Sequence, residues 1–111
     1  MIIENCFCEL KNKYGEAFCW NRADREKDAL VDEVYSEIGQ DHPLYGMKLF
    51  CLAKHELNDK VLFCTEYGQF VVIHLTYSNK NDSGYPRYKL FDTHQELKKY
   101  WEAEIQENKQ V

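Results

Sequence analysis

Hydrophobic positions change their period along this chain, and the change separates predicted strands from predicted helices. Residues 70–77 read Phe-Val-Val-Ile-His-Leu-Thr-Tyr, so both faces of a strand formed here would be apolar. Strands of this kind lie inside a sheet that is covered on both sides. The pattern therefore predicts that residues 70–77 form the central strand of the sheet.

Shorter apolar runs predict further strands on either side of this one. They cover residues 47–53, 61–65 and 88–91. Because Tyr67-Gly68 is a tight-turn signal between two of the runs, consecutive strands are expected to pair antiparallel as a meander. Alternation within residues 1–10, followed by a turn and residues 17–20, predicts an additional N-terminal hairpin.

Two segments follow helical spacing instead. The first begins after a cap at Asn21 or Asp24 and runs to about Ile38, and Gly39 ends it. Its apolar stripe consists of Leu30, Val31, Val34, Tyr35 and Ile38. The second helix opens with a capping box, Thr93 with Glu96. Its stripe consists of Leu97, Tyr100, Trp101 and Ile105.

This order of elements predicts an α+β fold. Residues 1–111 form a single domain, with an antiparallel meander sheet of about four to six strands and two helices, one before and one after the main meander. The chain is long enough to bury one core without disulfides or a metal. Because five is an odd number of cysteines and the chain shows no signal-peptide pattern, they are interpreted as reduced thiols of a cytoplasmic protein.

The charge of the chain is concentrated in one segment. Acidic residues outnumber basic ones by 19 to 14, giving a net charge of −5. Residues 24–40 hold six acids against Arg25 and Lys27, which accounts for −4 of that charge. Such a run is either a solvated helix face or an acidic docking surface for a basic protein partner, and both interpretations stay open. An acidic surface disfavours nucleic acid as a partner, and no segment has the length of a membrane span.

Partner-binding residues are predicted on this helix and in one loop. Glu26, Glu33 and Glu37 fall on a common strip at the edge of the apolar stripe, where exposed carboxylates could meet a basic surface. Tyr85 and Arg87 lie in and after a polar loop, and tyrosine and arginine are residue types that anchor protein interfaces. Ordinary, partly buried tyrosine is the equally weighted alternative.

Candidate chemistry is sparse. His74 shares a strand face with apolar residues and is expected to be a buried structural histidine, the alternative being a general base. Cys6 and Cys8 on one strand face, with Cys19, could contribute to a zinc site, but the paired Cys-x-x-Cys spacing is missing. We therefore predict no catalytic residues, no metal site and no cofactor.

Part of the chain resembles a known group of sequences. The resemblance lies in four segments: His42-Pro43-Leu44-Tyr45-Gly46, Val61-Leu62-Phe63, Val72-Ile73-His74-Leu75-Thr76-Tyr77 and Tyr85-Pro86-Arg87. They resemble small, largely uncharacterised bacterial proteins with a histidine-proline-leucine turn and a strand ending in His-Leu-Thr and an aromatic residue; Ile73 stands where valine is expected. In size and charge the chain is also similar to immunity proteins of contact-dependent and polymorphic toxin systems.

These observations favour a binding protein over an enzyme. The leading hypothesis is an immunity protein that neutralises a cognate bacterial toxin, of a basic nuclease type, by direct occlusion. The alternatives are a small enzyme using His74 in a sheet-surface pocket, and a regulatory or structural module that buries an uncovered sheet face in a homodimer.

Overall fold

The computed structural model describes residues 2–77 and 86–109 of the chain, with side chains from residue 7 to 77 and from 86 to 107. The helices are α1 (Ile2–Tyr14), α2 (Lys27–Glu37) and α3 (His94–Lys109), and a short 3-10 helix, Gly15–Ala17, follows α1. The strands are β1 (Trp20–Arg22), β2 (Leu49–His55), β3 (Lys60–Thr65), β4 (Phe70–His74) and β5 (Arg87–Phe91).

The strands form one antiparallel sheet in the order β1-β2-β3-β4-β5. Each strand lies beside its neighbour in sequence, so the sheet is a simple meander, and the predicted α+β meander is confirmed. A bulge interrupts β2 between Cys51 and Ala53. Only Ala53 to His55 of β2 pair with β1, which leaves the first half of β2 outside that pairing.

Helices cover both faces of this sheet. On one face, α1 and α3 pack over a cluster that includes Trp20, Leu62 and Val72. On the other face, α2 packs over a second cluster that includes Phe63, Val71 and Ile73. The prediction that the strand beginning at residue 70 is covered on both sides is confirmed, but this strand ends at His74 rather than residue 77, and the central strand of the five is β3. The cover does not extend over β5, where Tyr88 and Leu90 are 40% and 39% exposed beside Ile73 and Val71 of β4, so the homodimer interpretation stays a prediction.

The first helix replaces the predicted N-terminal hairpin. Residues 1–10 were expected to form a strand, but α1 runs through Ile2–Tyr14, and the prediction is wrong. Leu10 is fully buried, while Phe7 and Tyr14 pack against the same cluster, so the three share one helix face at spacings of three and four. Gly15 follows with a φ of 56°, a conformation that favours glycine where a helix ends.

The second helix begins later than the sequence suggested. Neither predicted capping residue caps it: Asn21 lies in β1, and Asp24 lies in the following turn beside Arg22, with Nε and Oδ1 3.8 Å apart. Glu26 stands at the N-cap position without a side-chain capping bond.

Within the described part of the chain, no helix combines the length and apolarity that a membrane crossing requires.

Thr93 caps α3 as predicted, although Glu96 meets the Thr93 hydroxyl rather than its backbone N–H. The backbone N–H of Glu96 donates to Thr93 Oγ1 at 3.2 Å, and the Thr93 hydroxyl lies 3.4 Å from Glu96 Oε1. We expect Thr93→Ala to lower the free energy of unfolding by about 1 kcal/mol, because it leaves a first-turn N–H without its acceptor. Thr93→Ser should retain most of that stability in urea denaturation. Equal midpoints for the two variants would contradict a contribution from the cap.

Candidate functional site

The exposed acidic surface of α2 is the first candidate site. Glu26, at the N-cap of α2, and Asp28 and Asp32, within the helix, are all exposed, and the two aspartates stand beside residues 49–51 of β2. Of these, Glu26 belongs to the predicted partner-binding set. We call these three residues the acidic surface.

Glu37, predicted to be part of the same exposed strip, lies in a different environment. Its side chain is 0% exposed, so the prediction that it stands at an accessible edge is wrong. The carboxylate accepts hydrogen bonds from the Thr76 backbone N–H (2.8 Å), the Thr76 hydroxyl (2.9 Å) and the Tyr77 backbone N–H (3.0 Å). It therefore joins the end of α2 to the chain that leaves β4, and a partner cannot contact it in this conformation.

Electrostatics hold this carboxylate in its charged form. Burial raises the pKa of Glu37, but the side-chain contact with Glu33 and the hydrogen bonds that Thr76 and Tyr77 donate together lower it by more, so the net pKa lies below its ordinary value. Tyr77 has a φ of 59°, a left-handed conformation that is costly for a bulky residue. The bond from its N–H to Glu37 fixes this residue just before residues 78–85.

A second contact fixes the chain just after the same segment. His42 Nδ1 accepts a hydrogen bond from the Leu44 backbone N–H at 3.1 Å, which leaves Nε2 to donate to the Pro86 carbonyl at 2.8 Å. The imidazole also packs against the Tyr88 ring, with centroids 5.3 Å apart. Both ring nitrogens are occupied, so His42 is a structural residue in this arrangement.

The remaining predicted site residues lie apart from the acidic surface. Arg87 is exposed at the start of β5, across from His74 on β4. Tyr85 lies outside the described residues. Glu33 is half-buried and meets Glu37 through their side chains. The structure therefore brings Glu33 and Glu37 together and separates them from Glu26, at the other end of α2.

His74 is not a buried histidine. Its side chain is exposed at the last residue of β4, which corrects the expectation of burial. Its cross-strand neighbours are Lys60 and Arg87, both basic. A general base of the histidine type is usually oriented by an acidic group, and these two positions supply none. The geometry gives no support to an enzyme built on His74.

A polar network that sequence reasoning missed lies between the sheet and α3. Glu104 Oε1 accepts a hydrogen bond from Trp20 Nε1 at 2.9 Å and lies 3.4 Å from His55 Nε2. Lys60 Nζ lies 3.7 Å from Oε2 of the same carboxylate. Burial, together with Glu104, raises the pKa of Tyr100 to about 12. This pair of a half-buried acid and a buried histidine is the strongest resemblance to catalytic chemistry in the described residues.

The pair is nevertheless fully engaged in structural bonds. His55 is 4% exposed, and its Nδ1 accepts the backbone N–H of Leu57 at 3.0 Å, which leaves Nε2 to face Glu104. Burial lowers the pKa of His55, Glu104 raises it and the Lys60 charge lowers it, with a net decrease. A neutral imidazole with both nitrogens occupied has no lone pair for a substrate. The network therefore orients α3 on the sheet.

The cysteines are not arranged as predicted. Residues 6 and 8 lie in α1, and positions two apart in a helix do not share a face, so the assumption of a common strand face is wrong. Cys19 is buried, with Sγ 3.7 Å from the Glu16 carbonyl, and burial raises its pKa first of all. Among the side chains that the structure describes, no group of three His, Cys, Asp or Glu residues could hold a metal ion.

Comparison with known protein families, with curated proteins and with solved structures gives no match for this chain. The resemblance carried by residues 42–77 and the likeness to immunity proteins therefore remain predictions from the sequence.

Proposed function

We propose that this protein is a binding protein of the immunity type, which neutralises a cognate bacterial toxin domain in the cytoplasm by occluding it. The observation that carries the proposal is the acidic surface, formed by Glu26 at the N-cap of α2 and by the exposed Asp28 and Asp32 within the helix. The partner of matching chemistry is a basic domain of the kind that cuts nucleic acid. Opposite surface charge would speed its capture at cellular salt.

The structural hydrogen bonds of two histidines support a binding function. Both ring nitrogens of His42 and of His55 serve structural bonds, and His74 stands between two basic neighbours. An inhibitor needs a rigid complementary surface and no reactive group of its own. We therefore favour binding over catalysis, and we move the proposed contact surface from Glu37 to the acidic surface.

The direct test is neutralisation. The reading frame encoded just upstream of this chain should specify a toxin-like domain, and co-expression of the two should restore growth of a host that the domain alone inhibits. The purified pair should elute as one complex in gel filtration with light scattering. A neighbourhood of metabolic genes, with no partner captured by the tagged chain, would contradict the proposal.

Charge reversal tests which surface meets the partner. We expect Glu26→Lys with Asp32→Lys to slow association with the toxin domain about tenfold at low salt, and less at high salt. Folding should change little, because exposed charges contribute little to stability. The free energy of unfolding and the association rate are measured on the same samples.

The matched control is Glu16→Lys with Glu107→Lys, an equal change of net charge on the layer opposite α2. This pair should leave the association rate close to that of the natural chain. If both double variants slow association equally, net charge rather than the acidic surface is responsible.

A further inference from the structure

The half-open edge of β2 faces α2 across a groove of about 470 Å³. Asp28, Val31 and Asp32 form its helical wall, and Leu49, Phe50 and Cys51 form its strand wall. Among the described strands, residues 49–51 pair with β3 alone, since β1 begins its pairing at Ala53. The groove therefore contains a backbone edge of the sheet, at residues 49–51 of β2, to which no further strand of the described chain is paired.

The Tyr35 hydroxyl marks one end of this edge. It accepts a hydrogen bond from the Leu49 backbone N–H at 2.9 Å and lies 3.4 Å from the Met47 carbonyl, to which it can donate. Those are the two kinds of bond that the backbone of a neighbouring strand would supply. A second cleft of about 420 Å³ is lined in part by Tyr35, Leu44 and Met47.

Acidic side chains outnumber basic ones among the described residues that line the groove. Asp28 and Asp32 stand one helical turn apart on its wall. Burial, and second the charge of Glu26, raises the pKa of the Cys51 thiol to about 12, so Glu26 also lies near the groove. Among the described residues that line the groove, Lys27 is the one basic side chain. Phe50 is 53% exposed on the other face of the edge, where it offers an apolar contact.

We propose that this groove docks an extended segment of the partner, which adds a strand to the outer edge of β2 and alternates basic with apolar side chains. Side chains alternate across a strand, so the basic residues would face Asp28 and Asp32 while the apolar ones pack beside Phe50. The inference deepens the proposed function, since it states how the basic partner engages the acidic surface.

The probe is an eight-residue peptide that alternates lysine and valine, with binding followed by fluorescence anisotropy. Two methylated versions are compared, one with N-methyl groups on every lysine and one with N-methyl groups on every valine. Alternate N–H groups of a strand point to opposite sides, so one version blocks pairing with the edge and the other does not. We expect one version to bind about tenfold more weakly and the other to bind as the parent does.

Charge and location are tested in parallel. Asp28→Asn with Asp32→Asn should weaken peptide binding about tenfold at low salt, while Glu16→Gln with Glu107→Gln should not. Amide NMR shifts should change at residues 47–51. If both methylated versions bind the natural chain equally well, the peptide is held by charge attraction without backbone pairing, and the proposal is overturned.

Other outcomes separate this inference from the proposed function. If the peptide does not bind but the toxin complex forms, the groove proposal is wrong and the function stands. If the peptide binds as expected and no toxin partner is found, the groove stands without that function. If the chain dimerises and its amide shifts at residues 47–51 depend on protein concentration, a second copy fills the groove and the proposal is overturned.

Discussion

Replacing Trp101 with alanine is expected to lower the free energy of unfolding by about 4 kcal/mol, because it empties the centre of the core under α1 and α3. The indole is 0% exposed. Its ring packs edge-on against Phe7 and Phe18, with centroids 5.9 and 5.1 Å away, and at an angle against Trp20 at 5.9 Å. Three elements would lose a common contact, so local relaxation cannot refill the space.

Trp101→Phe is the matched control. Among the described side chains, the indole Nε1 of Trp101 is buried without a hydrogen-bond partner, so phenylalanine removes an unsatisfied polar group along with part of the ring. We expect a loss of about 1–2 kcal/mol, well below that of alanine. Urea denaturation measures both variants. A loss below about 1 kcal/mol for alanine would contradict the packing of α1 and α3 over this core.

The parts of the fold that the sequence predicted are those that local chemistry decides. The Thr93 cap of α3 and the alternating or continuous apolar runs of β2 to β5 need no distant partner to be recognised. The helix α1 was missed because its stripe of Phe7, Leu10 and Tyr14 is sparse. Only the contacts with Trp101 and its neighbours on α3 give that stripe a core to face.

The candidate site was less predictable, for two different reasons. The burial of Glu37 had a signal in the sequence, since it follows Leu30 and Val34 at spacings that keep all three on one helix face. A general expectation that charged side chains are exposed outweighed that signal. The Glu104 network had no such signal, because Trp20 lies 84 residues away in sequence and the contact depends on the complete fold.

The Glu37 carboxylate should be the most important single polar group for stability. We expect Glu37→Ala to lower the free energy of unfolding by about 3 kcal/mol, since it leaves the Thr76 and Tyr77 donors without their acceptor. Glu37→Gln keeps an acceptor but loses the charge and should cost about 1–2 kcal/mol. Asp32→Ala, exposed on the same helix, is the control and should change stability by less than about 0.5 kcal/mol.

The pH dependence of the Glu37 contribution follows from its lowered pKa. In the unfolded chain the carboxyl titrates near its ordinary value of 4.5, whereas in the folded protein it stays charged to lower pH. The folded state therefore binds fewer protons in that interval, and the stabilisation is complete above the unfolded pKa and is lost as the pH falls through the folded pKa. The difference in unfolding free energy between the natural chain and Glu37→Gln should be constant from about pH 6 to 7 and shrink below about pH 4.5. A difference that grows on acidification would instead show that the buried group is protonated in the native state.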